Sequence, residues 1–153
     1  MADASKQYLR NAVLTATPEQ LQLMLFDGAI RHAMSGQEAI AAKDIEGMFN
    51  ALDRAQRIVL QLAAGLRREA NPQLVDQMSA LYDFIYRRLV DANMKRDATA
   101  VDDALRILRH QRETWVLLME KVKQVGQGEK KLERGIAGAG ANEAVESGFA
   151  AEA

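Results

Sequence analysis

The sequence predicts an all-α fold, an antiparallel up-down four-helix bundle with a short N-terminal arm or helix and a flexible C-terminal tail. Three observations carry that reading. Apolar residues recur at 3.6-residue spacing over long segments, with no alternating Val/Ile/Thr-rich runs. Polar N-cap residues, two of them followed by proline, punctuate those segments at Thr17-Pro18, Asp44 and Asn71-Pro72. The connections left between them are short, about three to five residues, which forces antiparallel neighbours.

The first long helix is expected from Pro18 to about Ala42. Thr17 serves as N-cap, Pro18 occupies the first helical position where no amide proton is missed, and Gln20 reaches back to complete a capping box. Measured from Leu21 at 100° per residue, Leu25, Ala29, Ile40, Ala33, Phe26, Ile30, Leu23 and Met34 fill an arc from roughly 40° to 220°, with Leu21 and Met24 beyond it. Such an arc is too wide for one buried stripe, so part of it packs on several neighbours or receives a partner.

Asp44 caps a second helix running to about Arg67 and Arg68. Its inward stripe is Ile45, Met48, Phe49, Leu52, Ala55, Val59, Leu62, Ala63 and Leu66. Asn71 and Pro72 open a third helix to about Lys95, with Leu74, Val75, Met78, Leu81, Tyr82, Ile85, Leu89 and Ala92 facing inward and Phe84 outside the stripe. Asp97 or Thr99 starts the fourth, whose inner face is Val101, Leu105, Leu108, Trp115, Met119 and Val122, with an Asp102–Arg106 pair one turn apart. Three regions result: an N-terminal arm at 1–16, the bundle at 17–125 and a Gly/Ala-rich flexible tail at 126–153, in which Lys130 to Arg134 can extend the fourth helix by a turn.

Composition narrows the function. The chain has 153 residues, 48% of them hydrophobic and 27% charged, which suits one domain with a real core. The absence of cysteine removes disulfides, thiolate nucleophiles and Cys-ligated metal. Neither a signal peptide nor a membrane span is expected, so the chain is read as cytoplasmic without membrane insertion. A formal charge of −1 with both signs interleaved argues against nucleic acid as a partner. The arginines at 67/68, 87/88 and 106/109 alternate with acids and read as solvated helix faces.

Catalysis finds no support. Bundle metal centres use inward Glu-x-x-His pairs, and neither His32 nor His110 has a glutamate three residues before it. Both histidines therefore read as surface residues, and no catalytic residue, metal ligand or cofactor is assigned. What remains is apolar excess: Leu21 and Met24 on the first helix, Phe84 on the third, Leu117 on the fourth, and seven methionines, whose flexible thioethers suit adaptable surfaces. Together these favour a bundle that receives amphipathic partner helices in its grooves. Tyr8, Leu9, Val13 and Leu14 make the N-terminal segment apolar enough to lie on the bundle.

Several blocks carry a resemblance. They are Tyr8-x4-Val13-x-Thr15-Ala16-Thr17-Pro18, Met24-Leu25-Phe26-Asp27-Gly28-Ala29, Lys43-Asp44, Ala55-Gln56-x-Ile58, Leu81-Tyr82-Asp83-Phe84-x2-Arg87-Arg88-Leu89-x2-Ala92-Asn93 and Arg112-Glu113-Thr114-Trp115. In this order, across residues 8 to about 122, the chain resembles the bacterial flagellin export chaperones, the flagellar secretion chaperone S family. The resemblance implies a helical bundle that binds the C-terminal segment of flagellin in the cytoplasm, blocks premature polymerisation and assists delivery to the flagellar type III export apparatus. It also implies an N-terminal arm, matched by Tyr8 and Val13, that occupies one groove and is displaced by the client. Partner-binding residues are thus expected at Tyr8, Val13, Leu14, Leu21, Met24, Phe84 and Leu117. Flagellar export-gate proteins or an anti-sigma factor are the alternative partners.

Overall fold

The computed structural model describes the backbone of residues 2–67, 69 and 71–152, and side-chain surroundings for 3–67, 69 and 71–137. Arg68, expected at a helix end, lies outside the described residues. Five helices follow in order: α1 (Ala2–Thr15), α2 (Pro18–Ala41), α3 (Ile45–Ala64), α4 (Pro72–Lys95) and α5 (Ala98–Glu152). The chain divides into two units, Met1–Trp115 and Val116–Ala153.

The starts of α2, α3, α4 and α5 are each made by a local side chain. Thr17 Oγ1 accepts from the Gln20 amide at 3.1 Å, and Gln20 Oε1 accepts from the Thr17 amide at 3.0 Å, so the capping box is complete. Asp44 accepts from the Gly47 amide at 3.0 Å and Asn71 from the Leu74 amide at 3.1 Å. Of the two candidates for α5, Asp97 is the cap: its Oδ1 accepts from Thr99 N at 2.9 Å and Ala100 N at 3.3 Å. A Thr17→Ala variant is expected to lose about 1 kcal/mol, because the Gln20 amide is left without its acceptor and the reciprocal bond loses its geometry. Urea unfolding measures this, and an unchanged midpoint would contradict the assignment.

Two of the turns share one solution. Lys43, at φ 58°, sits in the left-handed region after α2, with its own amide on Ile40 O and the Asp44 amide on Ala39 O. This bond pair is the Schellman arrangement that closes a helix C-terminus. Arg96, at φ 55°, ends α4 similarly, with the Asp97 amide on Ala92 O. In both turns a left-handed basic residue is followed at once by the aspartate that caps the next helix. One short connection thereby terminates one helix and starts an antiparallel neighbour.

The core is built by Phe26, Ala29 and Ala33 of α2, Met48, Leu52, Ala55, Val59 and Leu62 of α3, Tyr82, Ile85, Leu89 and Ala92 of α4, and Ala100, Val101, Ala104, Leu105 and Leu108 of α5. α3 packs on both α2 and α4. Polar ties place the first part of α5 between α2 and α4, closing the bundle. Arg112 pairs with Asp27, Trp115 Nε1 donates to Glu19 O at 3.1 Å, and Gln37 Nε2 reaches Asp102 and the Ala98 carbonyl. Toward α4, Arg88 donates to Asp103 Oδ2 from Nε at 3.1 Å and Nη2 at 2.9 Å, while Nη1 reaches Asp91 at 3.3 Å.

Some expectations are corrected. Ile45 and Phe49 of α3 and Leu74 and Leu81 of α4, read as inward, are exposed, as is Met34 of α2: Ile45 and Leu74 stand in the first turns of their helices, and Phe49 and Leu81 at the edges of their stripes. The expected Asp102–Arg106 pair is replaced by Arg106 to Asp103 at 3.8 Å, since Asp102 is taken by Gln37. His32 of α2, read as a surface residue, is half-buried.

The second unit is entirely helical to Glu152. No helix break follows Val125: Gly126, Gly128 and Gly135 each cost about 1 kcal/mol of helix propensity, but the intervening Glu, Lys, Leu and Arg are strong helix formers. Val122, read from the sequence as inward, is exposed, as are Leu117, Leu118, Val125, Leu132 and Ile136.

Candidate partner-binding surface

Five of the seven residues singled out from the sequence present themselves to solvent. Tyr8, Val13 and Leu14 are exposed on α1, Phe84 on α4 and Leu117 on α5. Leu21 and Met24 are half-buried on α2. The apolar arc of α2 is therefore mostly consumed by the bundle, and the freely displayed apolar surface lies elsewhere.

On α1, Tyr8, Leu9, Ala12 and Val13 fall within about 140° of arc, giving an amphipathic helix, while Leu14 projects from the other side. The arm is helical, and its apolar side chains are uncovered: Tyr8 is 78% and Leu14 75% exposed. On α4 the neighbours Phe84 and Ile85 divide sharply. Ile85 is fully buried, whereas Phe84 keeps 43% of its surface in water. Exposure of a large ring immediately beside the core is what a hot-spot anchor requires, because the backbone beneath it is rigid.

Sequence reasoning missed Ile45, Phe49 and Leu60 on α3 and Met94 at the end of α4, all exposed. On a helical wheel Ile45, Phe49 and Leu60 share about 60° of arc, so the signal was present, with Ile45 and Phe49 assigned to the core and Leu60 given no role. It also missed Gly28 and Gly36, both buried on α2. In the second unit a shallow groove of about 400 Å³ is lined by Gly128, Lys131, Leu132, Gly135 and Ile136, where two glycines leave room beside Leu132 and Ile136.

Titratable groups here are few. Tyr82 is buried with its hydroxyl unpartnered, and burial pushes its phenol up to about 12, so it stays neutral across the physiological range. Burial, then Arg31 and then Arg54 hold the His32 imidazole below its usual 6.5. The unfolded chain therefore binds more protons than the native one as pH falls below 6.5, so this contribution to stability is complete above 6.5 and is lost toward lower pH. His32→Gln should flatten the fall in thermal midpoint between pH 7 and 5, and an unchanged slope would show that the imidazole is not neutralised by folding. Among the described residues no three His, Cys, Asp or Glu side chains gather to hold a metal ion, and no helix is long and apolar enough to cross a membrane.

A closed helix bundle that displays apolar side chains on α1, α3 and α4 has the character of a helical chaperone. Comparison with known proteins says which kind. The family model described as Flagellar protein FliS matches residues 1–122. The flagellar secretion chaperone FliS of Bacillus subtilis (strain 168) is 36% identical over 131 residues, 86% of this chain and 92% of that protein. The FliS of Salmonella typhimurium is 33% identical over 114 residues, 74% of this chain and 84% of its own. A crystal structure described as a flagellar chaperone from bacteria covers 78% of this chain and 98% of its own, with a TM-score of 0.64 at 18% identity, and supports the fold. The chain belongs to the FliS family of flagellar secretion chaperones.

Proposed function

We propose that this chain is a cytoplasmic chaperone for flagellin: it binds the C-terminal segment, prevents premature polymerisation and assists delivery to the flagellar type III export apparatus. The observation that carries the reading is family membership over residues 1–122 joined to exposed apolar side chains on an otherwise well-packed bundle. A client segment that is disordered when free suits such a surface, because it can wrap several helices at once, while its ordering cost keeps affinity low enough for release. Tyr8, Val13, Leu14, Leu21, Met24, Phe84 and Leu117 are the proposed contacts. Residues 1–16 act as an arm, 17–125 as the chaperone body and 126–153 as a tail. No bond is made or broken in this function.

Gel filtration of the chain mixed with flagellin from the same organism tests the proposal. A 1:1 complex is expected, and its absence would overturn the reading. Recovery of an export-gate protein or an anti-sigma factor without flagellin, in a pull-down from a flagellated lysate, would move the function to an adaptor for that partner.

A further inference from the structure

Gly28 of α2 lies against Ile58 of α3 and Gly36 against Leu52, so the antiparallel register sets the stretch holding Arg31 and His32 opposite the turn of α3 that carries Arg54. Arg31 and His32 are consecutive on α2, and Arg54 lies on α3. A Cβ placed on Gly28, nearly one turn before Arg31, would stand 3.2 Å from Ile58 Cδ1 of α3 and 3.9 Å from Arg31 Nη2. The Arg31 side chain thus runs back along its helix, as long helical side chains do, and the bare glycine backbone makes room for the guanidinium against α3. His32 is half-buried beside it, within the field of both arginines.

The carboxylates at this boundary are committed elsewhere. Asp27 on α2 is held by Arg112, and Asp53 on α3 by Arg57 at 3.1 Å. Arg87, Arg88 and Arg106 likewise each hold an aspartate. Among the described residues, neither Arg31 nor Arg54 enters an ion pair. Uncompensated like charges at one place do nothing for folding; they repel one another and, after burial, add to what disfavours protonation of the His32 imidazole. Their chemistry is that of a receptor for carboxylates, which guanidinium forks grip in a bidentate manner.

We propose that Arg31, His32 and Arg54 form a docking point for an acidic segment of a protein partner. A nucleic-acid backbone would need a continuous track of cations. Here the track stops, because the next arginine on α3, Arg57, is neutralised by Asp53. A short run of Asp and Glu side chains matches two guanidinium groups beside an imidazole that an incoming carboxylate can protonate, at the boundary of two helices. An occupying carboxylate favours the protonated imidazole, so binding raises the His32 pKa. The charged groups that act on the imidazole are Arg31 on α2 and Arg54 on α3, while Asp27 is paired with Arg112 and Asp53 with Arg57.

The proposal does not depend on flagellin, and its test uses none. Full-length protein is titrated with a fluorescein-labelled hexaglutamate peptide at pH 6.5 and low salt, with the His32 imidazole followed by NMR. Saturable binding with an upward shift of the His32 pKa is expected. Combined Arg31→Gln and Arg54→Gln should weaken binding at least tenfold, whereas Arg87→Gln, which removes an arginine already paired, should change it less than twofold. Equal weakening by all three changes, or a His32 resonance that ignores the peptide, would overturn the site. Displacement of the peptide by an equal concentration of inorganic phosphate would make it a general anion site and overturn the assignment to acidic protein segments.

Discussion

Gly36→Val is expected to destabilise the bundle by about 3 kcal/mol. Gly36 is buried on α2 against Leu52 of α3: a Cβ there would lie 2.5 Å from Leu52 Cδ2 and 2.7 Å from Leu52 Cγ. Leu52 is fully buried in the core, so its side chain has no open side into which to swing. Valine is only a few tenths of a kcal/mol from glycine in helix propensity. The loss therefore reports the collision and not the backbone. Gly36→Ala combines a gain of about 1 kcal/mol in propensity with a smaller collision, and should cost less. The decisive measurement is a double-mutant cycle. Leu52→Ala alone should cost about 2–5 kcal/mol for the cavity it leaves. In the Gly36→Val background the same truncation opens the space valine needs, so the two losses should fall short of additivity by at least about 1 kcal/mol. Urea midpoints with an unchanged slope would measure it. Strict additivity would show that the helices separate freely at this crossing.

Why the sequence revealed some of this and not the rest follows from the range of each interaction. Helix starts are legible because a cap acts within three residues: Thr17, Asp44 and Asn71 each bind an amide of their own first turn. The centres of the apolar stripes are legible for the same reason, and Leu52, Ile85 and Leu108 are fully buried. Stripe edges are not. Whether Phe49 or Leu81 is covered depends on how far a neighbouring helix extends, which periodicity along one helix does not contain. The polar ties of α5 are further out of reach, since Asp102, Arg112 and Trp115 bond to partners 65, 85 and 96 residues away. Mid-helix glycine is ambiguous in sequence: at 28 and 36 it marks close approach to α3, whereas a Cβ at 126, 128 or 135 would meet nothing within 4 Å. Exposure was legible where a residue fell off the stripe, as Phe84 does, and overestimated where a wide arc was taken as display, as at Leu21 and Met24, which the bundle half covers.

That distinction gives the functional prediction its sharpest form. Under the flagellin reading, Phe84→Asp is expected to reduce affinity for the flagellin C-terminal segment at least tenfold, a loss of about 1.4 kcal/mol or more. The ring is large, partly desolvated by the bundle beneath it and held on a helix, so it loses little freedom when a client helix covers the rest. A carboxylate there must be buried against an apolar client face, which adds a desolvation cost to the lost contact. The fold should tolerate the change, because Phe84 already has 43% of its surface in water, while Ile85→Asp, one residue on at a fully buried position, should abolish the cooperative thermal transition. Arg87→Ala is the matched control: on the same helix it removes an exposed i,i+4 pair with Asp83, worth tenths of a kcal/mol, and should leave affinity within twofold. Calorimetric titration of each variant, with a melting curve beside it, separates the outcomes. Full affinity in a folded Phe84→Asp protein would remove α4 from the client surface. A melting point that collapses with the affinity would mean that the exposed face of the ring is a minor part of its role, and that Phe84 serves the core.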